Sequence, residues 1–212
     1  MKITKFGHAC LLLEEGEARI LIDPGVFSKG FEDLTELDAV VITHSHRDHL
    51  APDNLVGLMA KNPEVRVYAD ELSVKLLADD GRMAAQAVHS GDRFDVAGVA
   101  VEVEGSEHAK IYEAIETIPN VGYRVAERFF YPGDQFTVPV RPVEVLGLPL
   151  GAPWLKVNEV IDYVLAVAPT VAVPVHDAVL AYPDMHVNIA RPFAQAKGIE
   201  LRVIPNGDST EV

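Results

Sequence analysis

Thr43-His44-Ser45-His46-Arg47-Asp48-His49 places four metal-ligating side chains within six positions. It follows Ala39-Val40-Val41-Ile42, a short apolar run that reads as a buried strand. A strand end followed by a tight turn aims several imidazoles and a carboxylate at one point. That donor mixture suits Zn, Mn, Fe or Ni better than Ca or Mg, which prefer oxygen alone. The chain holds 8 histidines in 212 residues, so three of them with an aspartate at this spacing are poorly explained as a chance polar loop.

The length fits one domain, residues 1–212, with a full core. Hydrophobic residues make up 49% and charged residues 24%, the balance of an ordinary globular protein. A formal net charge of -14 argues against a long nucleic-acid footprint, which needs clustered Lys and Arg, and against binding to anionic membrane. Bound divalent cations would offset part of that charge, and a small anionic substrate stays compatible with it. Cys10 is the single cysteine, so no intrachain disulfide forms, and its apolar setting reads as core. Residues 1–6 alternate like a strand rather than forming the apolar centre of a signal peptide, and no run of about 18 apolar residues is present. These features lead to the expectation of a cytoplasmic protein.

Outward from the histidine cluster, strands are expected at 2–6, 9–14, 18–22, 40–43, 65–69, 99–103, 121–126, 129–131, 171–175 and 201–204. Helices are expected at 51–60 with Pro52 in the first turn, at 71–78 capped by Asp70, at 154–168, and at 189–197 closed by Gly198 with Pro192 in its first turn. Two stacked sheets with helices outside would bury these runs.

Three further strand ends carry ligand-type side chains: Glu107-His108, Gly133-Asp134 and His176-Asp177. The whole pattern, Thr-His-x-His-x-Asp-His followed by His108, Gly133-Asp134 and His176, resembles the metallo-β-lactamase fold superfamily over essentially the whole chain. Asp23 in Leu21-Ile22-Asp23-Pro24-Gly25 matches the aspartate of that family's first motif. Phe6-Gly7-His8-Ala9 and Gly151-Ala152-Pro153-Trp154 are similar to the small single-domain branch related to ascorbate-6-phosphate lactonase.

The resemblance implies an α+β fold, a four-layer αββα sandwich of two mixed sheets with helices outside. It implies two divalent metal ions, zinc first and Mn or Fe as alternatives. One would be held by His44, His46 and His108, the other by Asp48, His49 and His176, with Asp134 between them. Two such ions lower the pKa of a shared water to roughly 7, which gives a hydroxide nucleophile at neutral pH. Asp48 would hand a proton to the leaving group. Asp23 is expected to orient a ligand histidine, the alternative being a turn residue before Pro24-Gly25, and His8 to stand behind the ligands or touch substrate, the alternative being a structural histidine. His186 is a candidate for the pocket rim or a plain surface histidine, His89 a surface residue, and 109–119 a lid or an ordinary connection.

The implied activity is a dinuclear metal-dependent hydrolase acting on a small-molecule ester, a lactone or phosphodiester. A metal-dependent nuclease is the alternative within that class. The acidic chain and the absence of an RNA-binding arm speak against it, and no nucleic acid or membrane partner is expected. A mononuclear iron dioxygenase is the alternative on the same scaffold. Oligomeric state is not legible from the residues.

Overall fold

The computed structural model describes residues 1–79 and 83–212. Among the described residues, fourteen strands and four helices follow one another as β1 (Lys2–Lys5), β2 (Leu11–Glu15), β3 (Ala18–Ile22), β4 (Ala39–Ile42), α1 (Pro52–Lys61), β5 (Arg66–Ala69), α2 (Glu71–Asp79), β6 (Gln86–Ala87), β7 (Arg93–Val96), β8 (Val99–Glu104), β9 (Gly122–Val125), β10 (Phe129–Tyr131), β11 (Val145–Pro149), α3 (Val157–Val167), β12 (Val171–Val175), α4 (Pro183–Gln195), β13 (Glu200–Leu201) and β14 (Ser209–Glu211). They form two seven-stranded sheets, ordered β14-β1-β2-β3-β4-β5-β6 and β13-β12-β11-β10-β9-β8-β7. The strands from β3 to β6 pair in parallel and those from β3 back to β14 antiparallel. The second sheet repeats that plan, parallel from β10 to β13 and antiparallel from β10 to β7.

Period-two alternation sorts the side chains into layers. Leu11, Leu13, Ile20, Ile22 and Val41 face inward and meet Val101, Val103, Tyr123, Phe129 and Val173 of the other sheet. Their neighbours Leu12, Leu21, Val40 and Ile42 face outward onto Leu55 and Leu58 of α1 and Leu77 of α2. Phe130, Leu146 and Ala172 face outward onto Val160 and Val164 of α3 and Ala190 and Ala194 of α4. The result is the expected αββα sandwich. Each fully buried Leu, Ile or Phe contributes about 1.5–3 kcal/mol to it. Cys10 lies wholly in the first outer layer, and burial, with Asp23 and Glu32 nearby, pushes its thiol pKa far up, so it is an inert core residue.

Several elements depart from the sequence expectation. Strands β6, β7, β11 and β14 were not expected. Helix α4 starts at Pro183 and runs through Pro192, which therefore sits inside the helix rather than in its first turn. The helix expected at 154–168 begins at Val157, with Ala168 in left-handed conformation as its cap. The strand expected at 201–204 is limited to Glu200–Leu201, although Ile204 is still buried in the inter-sheet core. Helix α2 starts as expected, with Asp70 Oδ1 accepting the N–H groups of Leu72 and Ser73. Among the described residues, no helix is long and apolar enough to cross a membrane.

Candidate metal centre

Ends of β1, β3 and β4 from the first sheet and of β8, β10 and β12 from the second bring His8, Asp23, the 43–49 turn, His108, Asp134 and His176 together. Two buried tyrosines fix these ends across the sandwich. Tyr123 donates to the carbonyl of Ile42 at 2.9 Å, and Tyr131 to that of Ala9 at 2.9 Å. The 43–49 turn closes tightly, with His49 N and Leu50 N both donating to His46 O. Gly25 packs against this turn, and a Cβ there would fall 1.9 Å from Asp48 O, so only glycine fits.

The ligand-type atoms form two groups. His44, His46, His108 and Asp134 are one, and His8, Asp48, His49 and His176 are the other; within each, one donor atom per residue lies within 4.8 Å of the rest. Asp134 touches both groups. Its Oδ1 is 3.3 Å from His49 Nε2, while its Oδ2 is 3.4 Å from His108 Nε2 and 3.2 Å from His176 Nε2. His176 Nε2 also lies 3.4 Å from Asp48 Oδ2.

The ring protons are placed by neighbours on the far side of each imidazole. His49 Nδ1–H donates to Asp23 Oδ2 at 2.7 Å, His108 Nδ1–H to Ala109 O at 2.5 Å, and His176 Nδ1–H to Gly151 O at 2.6 Å. Asp23 also accepts the N–H of Thr43 at 2.7 Å and its hydroxyl at 2.6 Å. With its proton so used, Thr43 Oγ1 accepts from His44 Nδ1 at 3.0 Å. In its neutral form each of these four rings therefore turns an unprotonated Nε2 inward. His44 Nε2 meets His46 Nδ1 at 3.1 Å, a separation of two nitrogens that calls for a cation or proton between them.

Four of the six buried side-chain N or O atoms without a hydrogen-bond partner among the described residues lie here: Nε2 of His49, His108 and His176, and Oδ1 of Asp134. Leaving such atoms unsatisfied costs about 1–3 kcal/mol each. A cation between them removes that cost, so the donor set fits a metal.

His8 differs from the other histidines. Its Nδ1 accepts the N–H of Ala178 at 3.2 Å, so in the neutral ring Nε2 carries the proton and donates to Asp48 Oδ2 at 3.1 Å. Burial lowers its pKa, which keeps the ring neutral. His8, Asp23 and His176 all have positive φ, at 42°, 46° and 58°. Such backbone costs about 1–3 kcal/mol per residue and persists where the surroundings enforce it; His176 N–H donates to His8 O at 2.8 Å.

Among the protein groups themselves, burial alone would raise the Asp48 pKa, but hydrogen bonds from His176 and His8 outweigh it and hold the carboxyl far below the usual range. Asp134 behaves alike, burial being overcome by His49 and by hydrogen bonds from His108 and His176. Burial works against the charged form of His176, yet Asp134 and Asp48 push it up to about 9. His49 is likewise raised well above its ordinary value by Asp134 and Asp23 despite burial.

Sequence reasoning gave no site role to Trp154, which entered it within Gly151-Ala152-Pro153-Trp154, and did not name Asn120. Trp154 Nε1–H donates to Asp134 Oδ2 at 2.8 Å. Asn120 Oδ1 accepts the N–H of Asp134 at 2.9 Å, and its Nδ2 donates to Pro132 O at 2.9 Å, which pins the turn carrying Asp134. His186 lies in the first turns of α4 and bonds the carbonyl of Leu150 at 3.0 Å. His89 is exposed and pairs with Glu71. A cleft of about 300 Å³ opens beside the cluster, between Phe27, Arg47, Asp48, Ile111, Trp154 and Val179. The 109–118 excursion, pinned at its base by the Glu107–Pro119 bridge, borders it through Ile111.

The chain is similar to known proteins along its length. Protein Rv0786c of Mycobacterium tuberculosis is 44% identical over 189 residues, 87% of each chain. A protein of Methanocaldococcus jannaschii named as a metal-dependent hydrolase is 23% identical, over 99% of this chain and all of its own. Igni18, a novel metallo hydrolase from Ignicoccus hospitalis, superposes with a TM-score of 0.78 at 20% identity, covering 100% of this chain and 98% of that one. The metallo-β-lactamase fold protein YhfI from Bacillus subtilis gives 0.75 at 15% identity, with 100% and 99% covered. The beta-lactamase superfamily domain matches residues 2–176, a span that contains every histidine and aspartate of the cluster, and the chain belongs to that superfamily.

Proposed function

We propose that this protein is a dinuclear metal-dependent hydrolase that cleaves an ester bond, a lactone or a phosphodiester, in a small molecule. The observation that carries the reading is Asp134, whose carboxylate lies between the two donor groups, Oδ2 against His108 of one and His176 of the other and Oδ1 against His49. His44 Nε2, His46 Nδ1 and His108 Nε2 would hold one ion, Asp48, His49 Nε2 and His176 Nε2 the other, and Asp134 both. Imidazole with carboxylate favours Zn, with Mn or Fe as substitutes. When bound, such ions supply Lewis acidity and an activated water.

The chain's own residues position the rest. Asp23 and the carbonyls of Ala109 and Gly151 keep each ligand ring in the tautomer that offers Nε2. Asp48 is kept ionised and aimed by His8, so it can take a proton and deliver it to a leaving oxygen. Phe27, Ile111 and Trp154 keep the cleft wall dry and hold an apolar substrate body beside the cluster. The relative from M. jannaschii named as a metal-dependent hydrolase agrees with this chemistry. We read residues 1–212 as one domain working in the cytoplasm on a small-molecule substrate.

The test is metal content per chain by elemental mass spectrometry, followed by assays on γ-butyrolactone and bis(p-nitrophenyl) phosphate. Two equivalents of Zn or Mn with turnover of either probe is the expected result. One equivalent of iron with no second ion on titration, or no metal under any loading condition, would overturn it.

A further inference from the structure

We propose that the substrate carries an oxyanion, carboxylate or phosphate, in addition to its scissile ester, and that Arg47 binds it. This inference rests on the hydrolase reading and names its substrate class. Among the described residues, Arg47 is the only lysine or arginine along the cleft, whose other charged groups, Asp48, Asp134 and the histidines, belong to the cluster. Its side chain is exposed, and among the described residues no carboxylate pairs with it. Arg19, Arg93, Arg124, Arg128, Arg141 and Arg202 each hold a carboxylate, and Arg66 and Arg191, which among the described residues do not, lie outside the cleft lining.

The backbone beneath Arg47 is fixed. Val26 N–H donates to Arg47 O at 2.9 Å, and Gly25 lies directly against the next peptide. A free guanidinium on a rigid base presents a planar fork suited to a carboxylate or phosphate. Charge balance assigns it the same task. Two divalent ions would bring four positive charges, and Asp23, Asp48 and Asp134 cancel three of them, so the cluster has little surplus for a second anion. The chain as a whole, at -14, repels one. Phe27, half-exposed beside Arg47 in the cleft lining, adds an apolar face for the body between the two polar ends.

The experiment compares benzoate, isophthalate and terephthalate by calorimetry against metal-loaded wild type, Arg47→Ala and Arg47→Lys, with metal per chain counted in the same samples. One carboxylate can occupy the cluster in all three probes, and only the dicarboxylates offer a second. The expected result is that at least one dicarboxylate binds wild type about tenfold more tightly than benzoate, the size of one charge-assisted contact. Arg47→Ala should lose that advantage and Arg47→Lys keep part of it. Equal binding of all probes by metal-loaded wild type, or an advantage that survives in Arg47→Ala, overturns the assignment of Arg47 alone. A wild-type protein that takes up no metal overturns the hydrolase reading, and this inference with it.

Discussion

The indole of Trp154 and the carboxylate of Asp134 share a hydrogen bond of 2.8 Å, Nε1–H to Oδ2, on the same oxygen that faces His108 and His176. Trp154 is the chain's single tryptophan, so its fluorescence reports on the cluster without a label. Metal titration should change that emission. Trp154→Phe should keep the fold, lose the signal and weaken metal binding about tenfold, as expected when the partner of a ligand carboxylate is removed. Calorimetry or competition with a chelator measures the change.

Asp23→Asn should be more severe. The amide can offer only one acceptor oxygen to His49 Nδ1–H, Thr43 N–H and the Thr43 hydroxyl, which all bond the carboxylate. Both His49 and, through Thr43, His44 lose their fixed tautomer. Metal affinity should fall about 10–100-fold, and metal retained through dialysis is the measurement.

Asp134→Ala should remove at least one ion and the hydrolase activity, while far-ultraviolet circular dichroism stays close to wild type. Full activity in a metal-free Asp134→Ala protein would rule out the mechanism. His89→Ala, changing an exposed ring that pairs with Glu71 and Asp92 at the surface, should alter neither.

The metal-free protein should become less stable as pH rises from about 6.5 to about 9. His176 is raised from 6.5 to about 9 in the folded chain, so its contribution is complete below pH 6.5 and is lost as pH climbs through 9. His49 is raised as well and acts in the same direction. Melting temperature in chelator across that window is the readout, and His176→Gln should flatten the slope. Metal uptake near neutral pH should release protons, since the ligand rings must be neutral.

Gly25→Ala tests the turn itself. A methyl 1.9 Å from Asp48 O forces the 43–49 turn to move. The expected cost is about 1–3 kcal/mol of stability, with a loss of activity larger than the loss of folded protein, measured by chemical denaturation and assay of the same samples.

Much of the sandwich could be read from residues alone because its strands obey period two: Leu11 and Leu13 go in, Leu12 goes out. Strand β11 escaped because Gly147 and Pro149 read as breakers. Gly147 is there because a Cβ would meet the Tyr131 ring at 2.6 Å, and Pro149 closes the last pair of a parallel ladder. Strand β14 is three polar residues with no apolar pattern, and β7, although Phe94 and Val96 alternate with Arg93 and Asp95, is only four residues long. The histidines and aspartates of the centre were legible because ligand chemistry restricts residue type. Trp154 and Asn120 were not, because their roles depend on where unread loops return. A lone tryptophan after Gly151-Ala152-Pro153 was the one available signal.

The repeated sheet plan has a mechanical consequence. His8, Asp23, His44, His46, Asp48 and His49 come from the first sheet's half of the chain, and His108, Asp134 and His176 from the second's. Any ion bound by both sets acts as a non-covalent cross-link between the two leaves of the sandwich. Chelation then does more than silence a catalyst: it unfastens one rim of the inter-sheet seam, so opening of that rim and loss of the ion should proceed as one event.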